Sequence, residues 1–194
     1  MSLLQNIVII LILITGAGFL SLTEIALAGA RKVKLKILAE SGDHRAQKVL
    51  DLQENSADFF AASQIGLNAV AILGGILGEG AFRPYIYNFV SRFYQGPWAD
   101  NISFALSFTV VTSLFILFAD LMPKRLAMIA PEKIAVSVIE PIQIFIKVCK
   151  PLAWFINAIA NMLFRLFKVN TIRDDNITFD DISAVMDAGA QAGV

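Results

Sequence analysis

Histidine and cysteine are almost missing from the 194 residues, with His44 and Cys149 each standing alone. One cysteine allows no internal disulfide and no thiolate cluster. The single histidine lies among Gly42, Asp43 and Arg45 and reads as a solvated turn. Zinc chemistry and Cys/His nucleophilic catalysis therefore lack their residues. Charge is scarce as well. Asp, Glu, Lys and Arg make up 16% of the chain and cancel to a net charge of +0, where a soluble domain carries about a quarter charged residues. No basic stripe with interleaved aromatics is present, so no nucleic-acid partner is expected. A Gly-rich phosphate-binding loop is missing too. The first residues, Met1 to Asn6, carry no basic stretch, and no cleavage site follows the apolar run. That run is expected to be retained, not removed as a signal peptide.

Apolar surface is what the chain has in excess. Hydrophobic residues make up 57% of it and the mean hydropathy is +0.67, more than one globular core can bury, so lipid is the natural solvent. The expected fold is an all-α integral membrane domain of three transmembrane helices with a belt of juxtamembrane amphipathic helices. Apolar runs at about 3–28, 57–77 and 102–121 are each long enough to cross a hydrocarbon core of roughly 30 Å. Gly74 and Gly78 in the second run form a small-xxx-small pair suited to close helix contact.

Between the first two runs, Arg31 to about Glu54 has an amphipathic helical pattern interrupted at Ser41-Gly42. Residues 79–101, with Pro84, Tyr85, Tyr87, Tyr94, Gly96, Pro97 and Trp98, read as an interfacial loop with an aromatic belt. Residues 131–168 are apolar but studded with Lys133, Lys147, Lys150 and Arg165, and Pro141 and Pro151 should cut them into short helices lying on the membrane. A fourth span over 152–167 is the competing reading. Basic residues cluster after the first run and after the third, which places the amino terminus outside and the carboxyl terminus in the cytoplasm. From Asn170 the composition turns polar and acidic, and Thr178 with Asp181 forms a capping box. Residues 1–169 are thus expected to be the transmembrane domain and 170–194 the start of a cytoplasmic connector.

Several polar residues sit where lipid should exclude them. A mid-membrane carboxylate costs about 2.5 to 3.5 kcal/mol even on the lenient insertion scale. Glu24 lies in the first run and Asp120 at the end of the third, at similar depth toward the cytoplasmic side. Ser21 shares a helical face with Glu24, Gln64 with Asn68, and Thr109 and Ser113 with Asp120. Pro123 has no amide hydrogen, which frees the Ala119 carbonyl one turn beside Asp120. Carboxylates and freed carbonyls are hard oxygen ligands for cations, and broken helix ends build ion sites in transporters. The blander readings are local. Ser21, Thr23 or Ser113 can bond its own i−4 carbonyl, and Asn68 can bridge helices. Asp120 can pair with Lys124 or Arg125, and Glu24 with Arg31 or Lys34. An intramembrane protease is excluded, since Asp120 is the only aspartate within a span and His44 lies outside them.

At these residues the chain resembles the transmembrane domain of the CorC and cyclin M proteins. Phe19-Leu20-Ser21-Leu22-Thr23-Glu24-Ile25-Ala26-Leu27, Ile65-Gly66-Leu67-Asn68 and Phe118-Ala119-Asp120-Leu121-Met122-Pro123-Lys124 carry the resemblance. Asp187 to Val194 looks like the family's entry into its paired CBS domains. The resemblance implies a homodimer and cation export. It also implies a magnesium site at the positions of Ser21, Asn68 and Asp120. The chain departs from the family pattern at Asp120, where Glu is usual, and at Leu67, where a second asparagine is common.

The runs Ile65 to Ile76 and Phe118 to Pro131 look closest to bacterial inner-membrane exporters of putrescine and cadaverine. The candidate cation-binding set is therefore Ser21, Thr23, Glu24, Gln64, Asn68, Ser113, Ala119, Asp120 and Pro123, with Mg²⁺ or a polyamine as substrate and no certain cofactor. Expelling a dication from a negative interior costs about 4.6 kcal/mol per 100 mV. A cation sensor without flux and a plain membrane anchor are the readings from other classes.

Overall fold

The structure is a computed structural model that describes residues 3–167. The capping box and the expected connector at 170–194 lie outside the described residues. The described part falls into two units, one ending at Trp154 and the other beginning at Phe155. Every regular element among the described residues is helical.

Helix α1 spans Leu3–Gly29. In lipid an apolar segment must satisfy every backbone group internally, and the helix does so. Two short helices follow, α2 (Lys32–Glu40) and α3 (His44–Glu54). They are separated where the sequence reading expected, at Ser41-Gly42. Gly42 takes φ +100°, a left-handed conformation that favours glycine, and the Arg45 backbone N–H donates to Asp43 at 3.0 Å to cap α3. The Asp43 carboxyl also accepts from the Arg45 side chain, which holds it below the usual carboxylate range.

Helix α4 runs Ala57–Val90 and passes through Pro84, so the loop expected from residue 79 onward is a helix for its first twelve residues. The proline ring crowds the carbonyl four residues back, and that residue is Gly80, whose surroundings are open. Tyr85, Tyr87, Tyr94 and Trp98 are exposed, as an aromatic belt requires. The third apolar run is one continuous helical stretch: α5 (Ala99–Phe115), a π-helical segment (Ile116–Leu121) and α6 (Met122–Ile129).

The belt differs most from expectation. Residues Pro131–Leu166 form a single helix, α7, with Pro141 and Pro151 inside it. Four helical stretches, not three, are therefore long and apolar enough to cross a membrane. The physical reason lies in the packing around the first proline. Ala135, Ile139 and Ile142 are fully buried on one stripe, and each isoleucine contributes roughly 1.5–3 kcal/mol. A break at Pro141 would separate Ile139 from Ile142, so their burial offsets the ~3 kcal/mol of an interior proline.

That stripe joins Leu35 of α2, Val49 of α3, Phe59 of α4 and Ala127 of α6 in one buried cluster. Polar ties hold the same corner. Gln53 Nε2 donates to the Leu27 and Ala30 carbonyls at 2.7 and 2.9 Å, answering orphan acceptors at the end of α1. Glu132 takes Arg31 at 3.0 Å and Lys34 at 3.4 Å.

Above this base α1 packs against α4 and against the π segment with α6, while α4 packs against α5. The glycine pair does what its spacing predicts. A Cβ on Gly74 would stand 2.3 Å from the Phe115 ring, and one on Gly78 would stand 2.3 Å from Val111 Cγ1. Only glycine admits α5 this close.

Candidate functional site

The three long stretches α1, α4 and α5–π–α6 line an open cavity of about 390 Å³. α1 contributes Ala17, Ser21 and Glu24, at the i, i+4, i+7 spacing of one helical face. α4 contributes Gln64, Leu67, Asn68, Ala71 and Gly75, again a single face. The third wall is Val111, Thr112, Phe115, Ile116, Ala119, Asp120 and Lys124.

That third wall repeats every four residues, which a straight α-helix cannot sustain. At 3.6 residues per turn, Asp120 would lie about 80° around the axis from Thr112. The π segment removes the drift, because its wider turns rotate the chain less per residue. Met122 N–H reaches back five residues to the Leu117 carbonyl. Pro123 then supplies no donor for the Phe118 or Ala119 carbonyl, whichever the register assigns it. α1 meets this turn at Gly18, where a Cβ would lie 3.2 Å from the Pro123 ring and 3.5 Å from the Phe118 oxygen.

The polar groups have definite partners. Ser21, fully buried, donates its Oγ–H to Asp120 Oδ1 at 3.1 Å and so ties α1 to the π segment. Lys124 Nζ reaches the same oxygen at 2.6 Å. The local reading of Asp120 as a partner of Lys124 is thus realised, and in addition to the cavity placement. The local reading of Glu24 is not realised, because Arg31 and Lys34 both go to Glu132. Glu24 is half-buried and forms no ion pair among the described residues. Among the described residues the cavity therefore carries two carboxylates and one ammonium.

Of the residues singled out from sequence, Ser21, Glu24, Gln64, Asn68, Ala119 and Asp120 meet at this cavity. Three do not line it. Thr23 is buried and donates to the Phe19 carbonyl at 2.7 Å, the i−4 bond of a membrane threonine. Ser113 is exposed, and so is Thr109, because the expected face assumed an unbroken α period. Thr112 stands in the cavity in their place. Pro123 is buried behind the lining, against Gly18. Sequence reasoning also passed over Ala71 and Gly75, which their spacing from Gln64 could have found, and named Leu67 only as a departure from the family pattern. At the other end of α4, Glu79 and Asp100 both bind Arg83, a cluster whose α4 members the expected loop hid.

Comparison with known proteins adds to this picture. The family model described as the cyclin M transmembrane N-terminal domain matches residues 8–194. A polyamine export protein of Escherichia coli (strain K12) is 53% identical over 191 residues, covering 98% of this chain and 43% of that protein. A polyamine export protein of Haemophilus influenzae is 47% identical over 194 residues, covering 100% of this chain and 45% of that protein. A UPF0053 protein of Synechocystis is 31% identical over 186 residues, covering 95% of this chain and 42% of that protein. The chain spans less than half the length of the curated relatives it matches.

Proposed function

The chain belongs to the cyclin M transmembrane family, and from that premise we propose that it is the membrane domain of an exporter of small diamines such as cadaverine and putrescine. The observation that carries the reading is the cavity lined by Ser21, Glu24, Gln64, Asn68, Thr112 and Asp120 between three membrane helices. A diammonium ion needs acceptors at two ends and an apolar middle. Carboxylate, amide and hydroxyl oxygens supply the acceptors, and Leu67, Ala71, Val111 and Phe115 supply apolar wall for a methylene chain. The relatives named polyamine export proteins support the same substrate class.

Mg²⁺ is the competing substrate, with Ser21, Asn68 and Asp120 as its expected ligands. Mg²⁺ demands near-ideal octahedral oxygens at 2.0–2.1 Å. Here Asp120 Oδ1 already holds an ammonium and a hydroxyl, and Leu67 presents methyl groups to the cavity where the family resemblance leads one to expect a second asparagine. The ligand set favours the looser geometry of a diamine.

The domain is read as working in a bacterial inner membrane, as a homodimer, with the amino terminus outside. α7 is read as lying along the cytoplasmic surface up to about Lys150, since Glu140 pairs with Lys48 of α3 and Lys150 with Asp58 of α4. Flux through the reconstituted full-length protein tests the function. Saturable cadaverine efflux that falls at least tenfold in Asp120→Ala is expected. Mg²⁺ efflux with no cadaverine response would return the site to magnesium, and binding of either without flux would make the domain a sensor.

A further inference from the structure

Among the described residues Lys124 is the one cation facing the cavity, and its chemistry matches the proposed cargo. Its side chain is a primary ammonium on four methylenes, the same head group and spacer that a diamine presents at one end. Its Nζ sits 2.6 Å from Asp120 Oδ1, closer than Lys34 to Glu132 at 3.4 Å or Lys48 to Glu140 at 3.1 Å. That oxygen also accepts from Ser21, so the place where a substrate ammonium would bind is already filled by one from the protein. Lys124 stays a third exposed, and a lysine stem has the rotamer freedom to leave.

Resting on the diamine reading above, we propose that Lys124 is a tethered competitor: its ammonium occupies Asp120 in the empty cavity, and the incoming substrate must displace it. Charge balance gives the reason. With Lys124 in place the cavity holds two carboxylates and one ammonium, a net charge of about −1. A diammonium ion joining that set would leave an excess of +1, whereas one that expels Lys124 leaves the cavity neutral. Coulomb repulsion between ammonium groups crowded at one carboxylate favours the neutral arrangement. The return of Lys124 to Asp120 then opposes rebinding, which aids release and keeps affinity modest. An untethered ammonium would dissociate instead of returning, so the tether is what couples the two.

The test is cadaverine binding by calorimetry and efflux from proteoliposomes, on the full-length protein and its variants. Lys124→Met keeps the stem and removes the charge, Lys124→Gln repeats the test with a polar head, and thermal melting checks that each folds. Arg125→Met removes the same charge one residue on, from an exposed side chain with no ion pair among those described. The expected result is cadaverine binding at least tenfold tighter in Lys124→Met and Lys124→Gln, with slower maximal efflux, and a change within twofold in Arg125→Met. Equal tightening in Arg125→Met would reduce the effect to general electrostatics and overturn the proposal. Wild-type binding that the Lys124 variants leave unchanged or weaken overturns it while leaving the diamine reading intact. No cadaverine binding by wild type or by either Lys124 variant overturns both.

Discussion

Asp120 shows how one residue can belong to two local pictures at once. It forms the i, i+4 ion pair with Lys124 that any surface helix could show, yet it also binds Ser21 of another helix across a cavity. The second contact distinguishes a site from a solvated pair, because exposed i, i+4 pairs contribute only about 0.3–0.5 kcal/mol. Thr112 is the residue that the structure adds. It lines the cavity while Ser113 is exposed. Losing a neutral hydrogen bond costs about 0.5–1.5 kcal/mol, or about two- to tenfold in affinity. Thr112→Val should therefore weaken cadaverine binding by that factor, with Ser113→Ala within twofold of wild type. Calorimetric titration of both variants checks this, and the reverse order would return the site to an unbroken α period.

At the scale of elements, Pro123 and the π segment before it set the orientation of the third wall. Pro123→Ala restores an amide donor one turn from Asp120, and a helix that closes to α geometry swings the carboxylate about 80° away from Thr112. Efflux should fall at least tenfold with Asp120 still present, while the melting temperature holds or rises because an interior proline is costly. Retained efflux would mean that the π turn has some other cause. The glycines of α4 give a test of opposite signs. Gly78→Ala drives a methyl into Val111 and should lower stability by about 1–3 kcal/mol. Gly80→Ala meets open space and should raise it by up to about 1 kcal/mol. Thermal unfolding of both in detergent reads the difference.

The same elements show what the sequence could and could not reveal. The break at Gly42, the Gly74/Gly78 contact and the convergence of Glu24, Asn68 and Asp120 were legible, because each depends on spacing within one helix or on the depth of a polar residue in an apolar run. Pro141 misled because a proline's local cost was weighed without the tertiary burial that outweighs it, and Pro84 because a turn was read where α4 continues past the unobstructed Gly80. Ser113 misled because a helix period measured in sequence cannot register a π turn. The pairing of Lys34 with Glu132 instead of Glu24 depends on α7 folding back beside the α1–α2 junction, which no local pattern encodes.

In the molecule as a whole, an apolar scaffold holds an acidic cavity. The buried cluster beneath, with Leu35, Val49, Phe59, Ile139 and Ile142, fixes one set of helix ends. The glycine contacts between α4 and α5 fix the other side. Between them Glu24 and Asp120 approach a common space from different helices. A cavity with acceptors at separated points and an apolar wall between should select by the length and valence of the ligand, not by charge alone. Calorimetric binding of a series of α,ω-diamines from three to six methylenes, with pentylamine and Mg²⁺ as competitors, tests that claim most directly. The expected result is an optimum at four to five methylenes, at least tenfold weaker binding of pentylamine, and no displacement of cadaverine by equimolar Mg²⁺. Equal affinity for pentylamine, or displacement of cadaverine by Mg²⁺ at equal concentration, would contradict it.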